Sequence, residues 1–421
     1  MLDLRAIRED PDRFRAGLGR RGASEDLDRL IHLDSEQRRL KVRVEELRAE
    51  QNRISKEVGR ASPEERQGLV DSGRGVAADL GAIEPDLERV TEELEELASR
   101  LPNLPHDSVP DGETEEKNEV LRTWGDPPRF AFEPRDHLVL GESLRMIDVE
   151  RGVRTSGSRF YYLTGAAVRL EFALVQYGLD FADRHGLWPI WSPALVRREA
   201  MYGTGFLPTD EAQIYAVRDD DLYLIGTAEV TLASFHMGEI LEASDLPRRY
   251  LGYSTCFRRE AGTYGKDTRG VFRVHQFDKL EMFSFVLPEE SEREHERLLA
   301  LEEEWVQSLE LPYRVVNVCV GELGASAAKK YDIEAWFPGQ DRYREITSTS
   351  NTTDYQARRL GVRVRGEGGN VPVHTLNGTL CAMSRTIICL MENHQRDDGS
   401  IEVPPGLHPY LSESMRVIAP S

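Results

Sequence analysis

Two runs of apolar residues in heptad spacing constrain this chain more than any other feature. Leu33, Gln37, Leu40, Val44, Leu47, Gln51, Ile54 and Val58 recur at alternating steps of four and three. Val76, Leu80, Ile83, Leu87, Val90, Leu94, Leu97 and Leu101 repeat the pattern with no polar break. That period keeps a seam on one helix face, and the seam must be covered by a partner helix. Between the runs, 59–65 carries a helix-start signal, with Ser62 as N-cap, Pro63 at N1 and Glu65 at N3. The sequence therefore predicts an antiparallel helical coiled-coil hairpin over about 27–101. At ~1.5 Å per residue, limbs of ~32 residues give an arm of roughly 48 Å. Pro85 lies inside the second limb, where its missing N–H and its ring predict a kink.

The limbs differ in charge. The first carries Arg38, Arg39, Lys41, Arg43, Arg48, Arg53, Lys56 and Arg60, whereas Glu84, Asp86, Glu88, Glu92, Glu93, Glu95 and Glu96 dominate the second. Ion pairs across a solvated hairpin are one account, and a basic limb facing RNA phosphate is the other. The formal net charge of −20 argues against indiscriminate nucleic-acid binding, because a phosphate backbone is repelled on average. A local basic surface is still compatible with it.

Proline and turn formers over 102–112 end the arm, so 102–114 reads as a linker between an N-terminal domain, 1–101, and a second domain, 115–421. In the second domain Gly165 to Arg184 reads as an amphipathic helix. Short β-rich runs at 222–225, 271–274 and 313–318 are separated by long connections. The expected class is α+β, with an antiparallel sheet flanked by helices segregated to one side. No apolar stretch approaches the roughly 18 residues of a membrane span, and the charged start has no signal-peptide core. A cytoplasmic protein is expected. Cys256, Cys319, Cys381 and Cys389 are widely spaced and form no CxxC pair, which argues against a disulfide framework or a structural zinc.

Three segments set charged and hydroxyl residues among apolar, strand-like neighbours. In 256–281 two strand-like pieces flank a Gly-rich basic loop, which predicts a long hairpin. Arg258 and Glu260 stand two apart, so on a strand they share a face. With Arg273, Phe277 and Glu281 on the returning strand, the charge is too dense for a bland surface. An arginine fork suits phosphate, and an aromatic face suits a nucleobase. In 345–359, alternation puts Glu345 and Thr347 on one face and Ile346 and Ser348 on the other. Those oxygens suit Mg2+ held together with nucleotide phosphates. The third segment, 376–395, runs from a strand into a helix that is apolar from Ile387 to Met391. Arg385 near its N-terminal end opposes the helix dipole unless an anion sits opposite. The stretch 262–268 is no Walker loop, because its GK is followed by Asp and its first glycine stands too close.

These segments resemble motifs 2 and 3 of the class II aminoacyl-tRNA synthetases, in the wording of the seryl enzymes. The matches are FRREAGTYGKDTRGVFRVHQFDKLEMF (257–283), then HTLNGT (374–379), RT (385–386), MENHQ (391–395) and GSIEVPPGLHPYL (399–411). GTAEV (226–230), EITSTSN (345–351), DYQARR (354–359), RTSGSRFYYLTG (154–165) and LDLRAIREDPDRF (2–14) match too, and WPIWSPALV (188–196) resembles motif 1. The order is kept along essentially the whole chain, arm included.

The resemblance implies that ATP and L-serine form seryl-adenylate and that the seryl group then passes to the 3′ end of tRNA(Ser). It leaves tRNA(Sec) open as a second acceptor. It implies that Arg258 holds the α-phosphate and then the developing charge, while Glu260 and Phe277 receive adenine. Arg385 clamps the γ-phosphate, and Arg259, Val274, Ile346 and Thr347 complete the expected ATP site. Glu345 and Ser348 serve Mg2+ with ATP. Thr227, Ala228, Glu229, Glu281 and Thr379, together with Arg258, are expected to meet serine. Thr379 stands where many relatives carry serine, which adds a methyl to the pocket. Arg38, Arg39, Lys41, Arg48, Arg53 and Lys56 on the arm, with Lys266 and Arg269 in the motif 2 loop, are expected to meet tRNA. Tyr264 belongs to the same loop. A homodimer with Pro193 at its interface is implied, and His275 is read as a packing residue. Two alternatives differ in class: a synthetase duplicate serving antibiotic resistance or a biosynthetic pathway, and a non-catalytic coiled-coil or RNA-binding protein. The joint presence of Arg258, Glu260, Glu281, Glu345 and Arg385 speaks against the second.

Overall fold

The two heptad runs fold as a pair of long antiparallel helices. The computed structural model describes residues 1–262, 270–366 and 368–420, and the chain separates into two units, Met1–Leu104 and Pro105–Ser421. In the first unit, α1 (Leu4–Glu9) and α2 (Pro11–Arg20) lead into α3 (Leu27–Val58) and α4 (Pro63–Arg100). The seam residues Leu33, Leu40, Val44, Leu47 and Ile54 of α3 are buried, as are Val76, Leu80, Val90 and Leu94 of α4. Gln37, a polar break in the first run, donates its side-chain N–H to Thr91 Oγ1 at 3.0 Å, so the seam leaves no unpaired amide there. At the root, Ile7, Phe14 and Leu18 join Leu27, Leu30, Val90 and Leu94 in one apolar cluster. The start signal operates as read: the Glu65 carboxylate accepts from Ser62 N–H at 3.2 Å and from Ser62 Oγ at 2.8 Å. Helix α4 runs on through Pro85.

All six arm residues expected to meet tRNA are exposed on α3. Arg48 reaches Glu84 of α4 at 2.7 Å, while Arg39 and Arg53 lie 3.7 and 3.3 Å from Glu36 and Glu57 of their own helix. Pairs this exposed contribute ~0–1 kcal/mol each. They are too weak to hold the hairpin, and too weak to keep these arginines from another anion.

Among the described residues, the main sheet of the second unit has eight strands: β1 (Glu119–Trp124), β2 (Trp188–Trp191), β3 (Arg248–Phe257), β4 (Gln276–Val286), β5 (Tyr313–Asn317), β6 (Lys329–Phe337), β7 (Arg342–Thr353) and β8 (His374–Ala382). They form one sheet in the order β1-β5-β6-β7-β8-β4-β3-β2. Every neighbouring pair is antiparallel except β2 with β3 at one edge. The connection across 192–247 is long enough to bring the chain back for that parallel pairing. Against the sheet lie α6 (Ala166–His185), α7 (Ser291–Ser308) and α8 (Met383–Asn393), with α5 (His137–Ser143) packed on α8.

Alternation along β4 divides the sheet's two faces. Leu280 and Met282 enter the main core with Leu174, Leu298, Trp305 and Ile387. Phe283 and Phe285 enter a smaller core with Leu232 and Leu360, from the short helices Glu229–Ala233 and Tyr355–Leu360. Helices therefore cover parts of both faces, contrary to the expected segregation to one side. The reason lies in the sequence of β4, whose apolar residues occupy both phases of the alternation.

Two other expectations are corrected. The run 271–274 is not a strand, and β4 begins only at Gln276. Its backbone finds side-chain partners instead: Val271 N–H meets His137 Nε2 at 3.4 Å, and the Phe272 carbonyl accepts from Arg385 Nε at 3.3 Å. Arg258 and Glu260 also lie beyond the end of β3, with Glu260 at φ 50°, so strand alternation does not apply to them.

Candidate active site

A cavity of about 500 Å³ opens on the sheet face to which Phe277, Lys279 and Glu281 of β4 point. Its walls bring together residues from β4, β7, β8, the start of α8 and the chain after β3, with Gly226, Thr227 and Glu229. One part is acidic and closed. Glu281 is 1% exposed and takes bonds from Thr379 Oγ1 at 3.2 Å and Asn377 Nδ2 at 3.3 Å, while Lys279 Nζ lies 2.5 Å from its carboxylate. Lys279 also donates to Thr227 Oγ1 at 2.8 Å. Glu229 accepts from Gln356 Nε2 at 2.7 Å and Asn377 Nδ2 at 2.9 Å. Burial, and then the charge of Glu281, push the Glu229 carboxyl up to about 7. Such a pocket receives an ammonium and a hydroxyl well, since it offers carboxylate acceptors already desolvated.

The other part is cationic. Arg258 is steered by its Nε–H to the Gly226 carbonyl, 3.0 Å, and its guanidinium lies 5.4 Å from the centre of the Phe277 ring. Arg385 donates to the Glu345 carbonyl at 3.0 Å and lies 3.4 Å from that residue's carboxylate. Burial works against ionisation of Glu345, yet Lys330, Arg385 and Arg258 together outweigh it and hold its carboxyl below the ordinary range. Glu260 bonds Arg273 Nη1 at 2.7 Å, which fixes the turn after Arg258. Val274 completes this wall.

The grouping expected along β7 is corrected by a bulge. Glu345 pairs with Glu334 and Thr347 with Ile333, so Ile346 is the extra residue. Ser348 pairs with Asp332, and Glu345 therefore shares a face with Ser348 rather than with Thr347. Thr347 turns inward, its Oγ1 donating to the Thr379 carbonyl, and Ile346 joins the main core. One extra residue reverses the phase of everything before it, which strict alternation could not anticipate.

Two expected residues stand outside the cavity walls. Arg259 is exposed, with its guanidinium 6.0 Å from the Tyr215 ring, and Ala228 is buried in the smaller core. Tyr264, Lys266 and Arg269 lie outside the described residues. His275 donates its Nδ1–H to the Arg258 carbonyl at 2.8 Å and packs on Phe160. Sequence reasoning missed Lys279, Lys330, Gln356 and Asn377. Lys279 was within reach, because it falls in phase with Phe277 and Glu281 on β4. The other three come from separate elements and meet only in the folded chain.

Family models match two stretches: the seryl-tRNA synthetase N-terminal domain over residues 1–105 and the tRNA synthetase class II core domain (G, H, P, S and T) over 215–394. The serine–tRNA ligase 1 of Streptomyces avermitilis is 53% identical over 415 residues, covering 98% of this chain and 97% of the relative. Among solved structures, seryl-tRNA synthetase from Pyrococcus horikoshii complexed with ATP matches with a TM-score of 0.93 at 42% identity, over 100% of both chains. The cytoplasmic serine–tRNA ligase of Naegleria fowleri in complex with AMP matches with a TM-score of 0.88 at 34% identity, over 100% of this chain and 99% of that one.

Proposed function

The chain belongs to the seryl-tRNA synthetases, an ATP-dependent ligase family of class II fold, and from that premise we propose how its own residues divide the work. Its activity is that of a serine–tRNA ligase. The observation that carries the division is the junction, in one cavity, of a closed acidic pocket with a cationic wall.

In the acidic pocket, Glu229 with Thr227 receives the serine ammonium, and Glu281 with Thr379 reads the hydroxyl. Glu281 and Thr379 already pair with each other, so a substrate without that hydroxyl adds no bond to them and alanine lacks the charge-assisted contact that holds serine; limited volume rejects threonine. Arg258 stands between pocket and wall, where it holds the serine carboxylate against the α-phosphate. A carboxylate oxygen attacks the α-phosphorus, the bond to the bridging oxygen breaks, and pyrophosphate leaves. Charge gathers on the non-bridging oxygens as this happens, and Arg258 is positioned to stabilise it. Phe277 stacks adenine, with Glu260 at its edge, and Arg385 clamps the γ-phosphate. The terminal ribose hydroxyl of tRNA then attacks the seryl carbonyl, and AMP leaves. Positioning and charge stabilisation carry both steps, with little side-chain acid–base chemistry.

The donor set suits Mg2+ brought in by ATP: one carboxylate, Glu345, and one hydroxyl, Ser348, on the same strand face, with phosphates left to complete the shell. Bound there, the ion would neutralise phosphate charge. The six exposed basic residues of α3 receive tRNA(Ser) by phosphate contacts, and tRNA(Sec) is a second acceptor to be tried. The N-terminal domain of 1–101, the linker of 102–114 and the catalytic domain of 115–421 follow this division of labour. We assign the enzyme to the cytoplasm as a homodimer. The dimer face is α6 with β2, where Phe172, Trp188 and Trp191 are 66%, 71% and 86% exposed and Pro193 lies beside them. An apolar surface of that kind marks an association site. The duplicate reading is not favoured, since relatives named serine–tRNA ligase match over the full chain. Aminoacylation of purified tRNA(Ser), comparing serine with threonine and alanine, tests the proposal: charging by serine is expected, and equal charging by alanine would sink it.

A further inference from the structure

We infer that Phe272 is a positioning residue that aims Arg385 before ATP arrives, and that His137 fixes the backbone from which Phe272 acts. The inference rests on the reading of Arg385 as the phosphate clamp. The Arg385 guanidinium lies 4.6 Å from the centre of the Phe272 ring, and its Nε donates to the Phe272 carbonyl at 3.3 Å. Ring face and carbonyl of one residue thus hold both the plane and the direction of the fork. An arginine has many rotamers, and restricting them in the free protein removes that loss from the binding step.

Phe272 itself belongs to no strand, so its own position needs a cause. Val271 N–H donates to His137 Nε2 at 3.4 Å. An accepting Nε2 carries no proton, so Nδ1 carries the hydrogen and donates to Glu392 Oε1 at 2.7 Å. Glu392 also accepts from the His137 and Gly339 backbones, at 3.1 and 2.9 Å. Glu392 lies about two turns beyond Arg385 on α8. The contacts therefore close a circuit: α8 to Glu392, to His137, to Val271 and Phe272, and back to Arg385. Gly270 permits the close approach, for it has φ 92° and a Cβ there would sit 2.3 Å from His137 Nε2. The ring also meets Phe337, 5.5 Å away edge-on, and the Arg344 guanidinium at 3.8 Å. Two guanidiniums on one ring repel each other, and an anion such as a polyphosphate relieves that repulsion.

Serine-dependent ATP–pyrophosphate exchange on the full-length enzyme tests the circuit. F272L keeps apolar volume and removes the ring face, so the ATP KM should rise ~10-fold with the serine KM unchanged. F272Y keeps the face and should stay within about twofold of the parent. H137N keeps a donor for Glu392 but loses the acceptor for Val271, and should raise the ATP KM by roughly threefold. An F272L enzyme with a parental ATP KM, or one whose serine KM rises in parallel, would overturn the inference. Should F272L fail to fold, H137N decides by the same two criteria. R385A separates the premise from the inference: near-parental exchange in R385A overturns the clamp itself, whereas its loss beside a parental F272L overturns only the role of Phe272.

Discussion

Arg258 touches both halves of the cavity, and its Nε is already committed to the Gly226 carbonyl, so its fork is aimed without substrate. Truncation to alanine should therefore lower serine-dependent pyrophosphate exchange by ~10²–10³-fold while leaving the fold intact. Glu229 supports a second prediction. Its carboxyl is pushed up to about 7, first by burial and then by Glu281, whereas binding a serine ammonium requires the ionised form. The sign follows: protonation competes with serine, so affinity falls as pH drops below about 7. From pH 8 to pH 6 the serine dissociation constant should rise ~10-fold, one factor of ten per unit below the pKa. Calorimetry at pH 7 in buffers of different ionisation heat should detect proton release on serine binding. No release would mean that Glu229 is already ionised or does not meet the ammonium. At this scale the sequence exposed the charged residues that stand inside matched motifs. It hid Asn377, which bonds Glu229 and Glu281 together, because nothing along the chain marks an asparagine as the link between two distant carboxylates.

Elements were legible where a period was long enough to dominate. The hairpin is the clearest case, because its seam repeats over many turns and the start signal at Ser62 fixes its reversal. Leu94→Ala on α4 opens the cluster at the root, and should destabilise the N-terminal unit by about 2–5 kcal/mol in denaturant unfolding. Deleting 30–100 should leave adenylate formation close to parental and abolish charging of tRNA. Equal loss of both steps would show that the second unit needs the arm in order to fold. Short segments were read less well. The run 271–274 has strand composition but no strand partner, and the bulge at Ile346 is invisible to alternation. In both, long-range pairing overrides local pattern.

For the whole molecule the sharpest expectation concerns the face of α6 and β2. Trp191→Glu puts a charge where an apolar surface should meet its copy, so sedimentation should show a dimer for the parent and monomers for the variant. A parent that is already monomeric would remove the reason for that face. The sequence by itself determined the arm, the motif order and the family, and it singled out Arg258, Glu281, Glu345 and Arg385 among the residues that line the cavity, because periodicity and spaced motifs are written along the chain. Tertiary structure alone decided that β2 runs parallel at the sheet edge, that Glu345 shares a face with Ser348, and that 272–274 serves as a wall of the cavity. It also decided that Phe272 lies beneath Arg385, 113 residues further on. The physical reason is the same each time: hydrogen-bond satisfaction and packing are settled between segments distant in sequence, and no local pattern encodes which partner will be there.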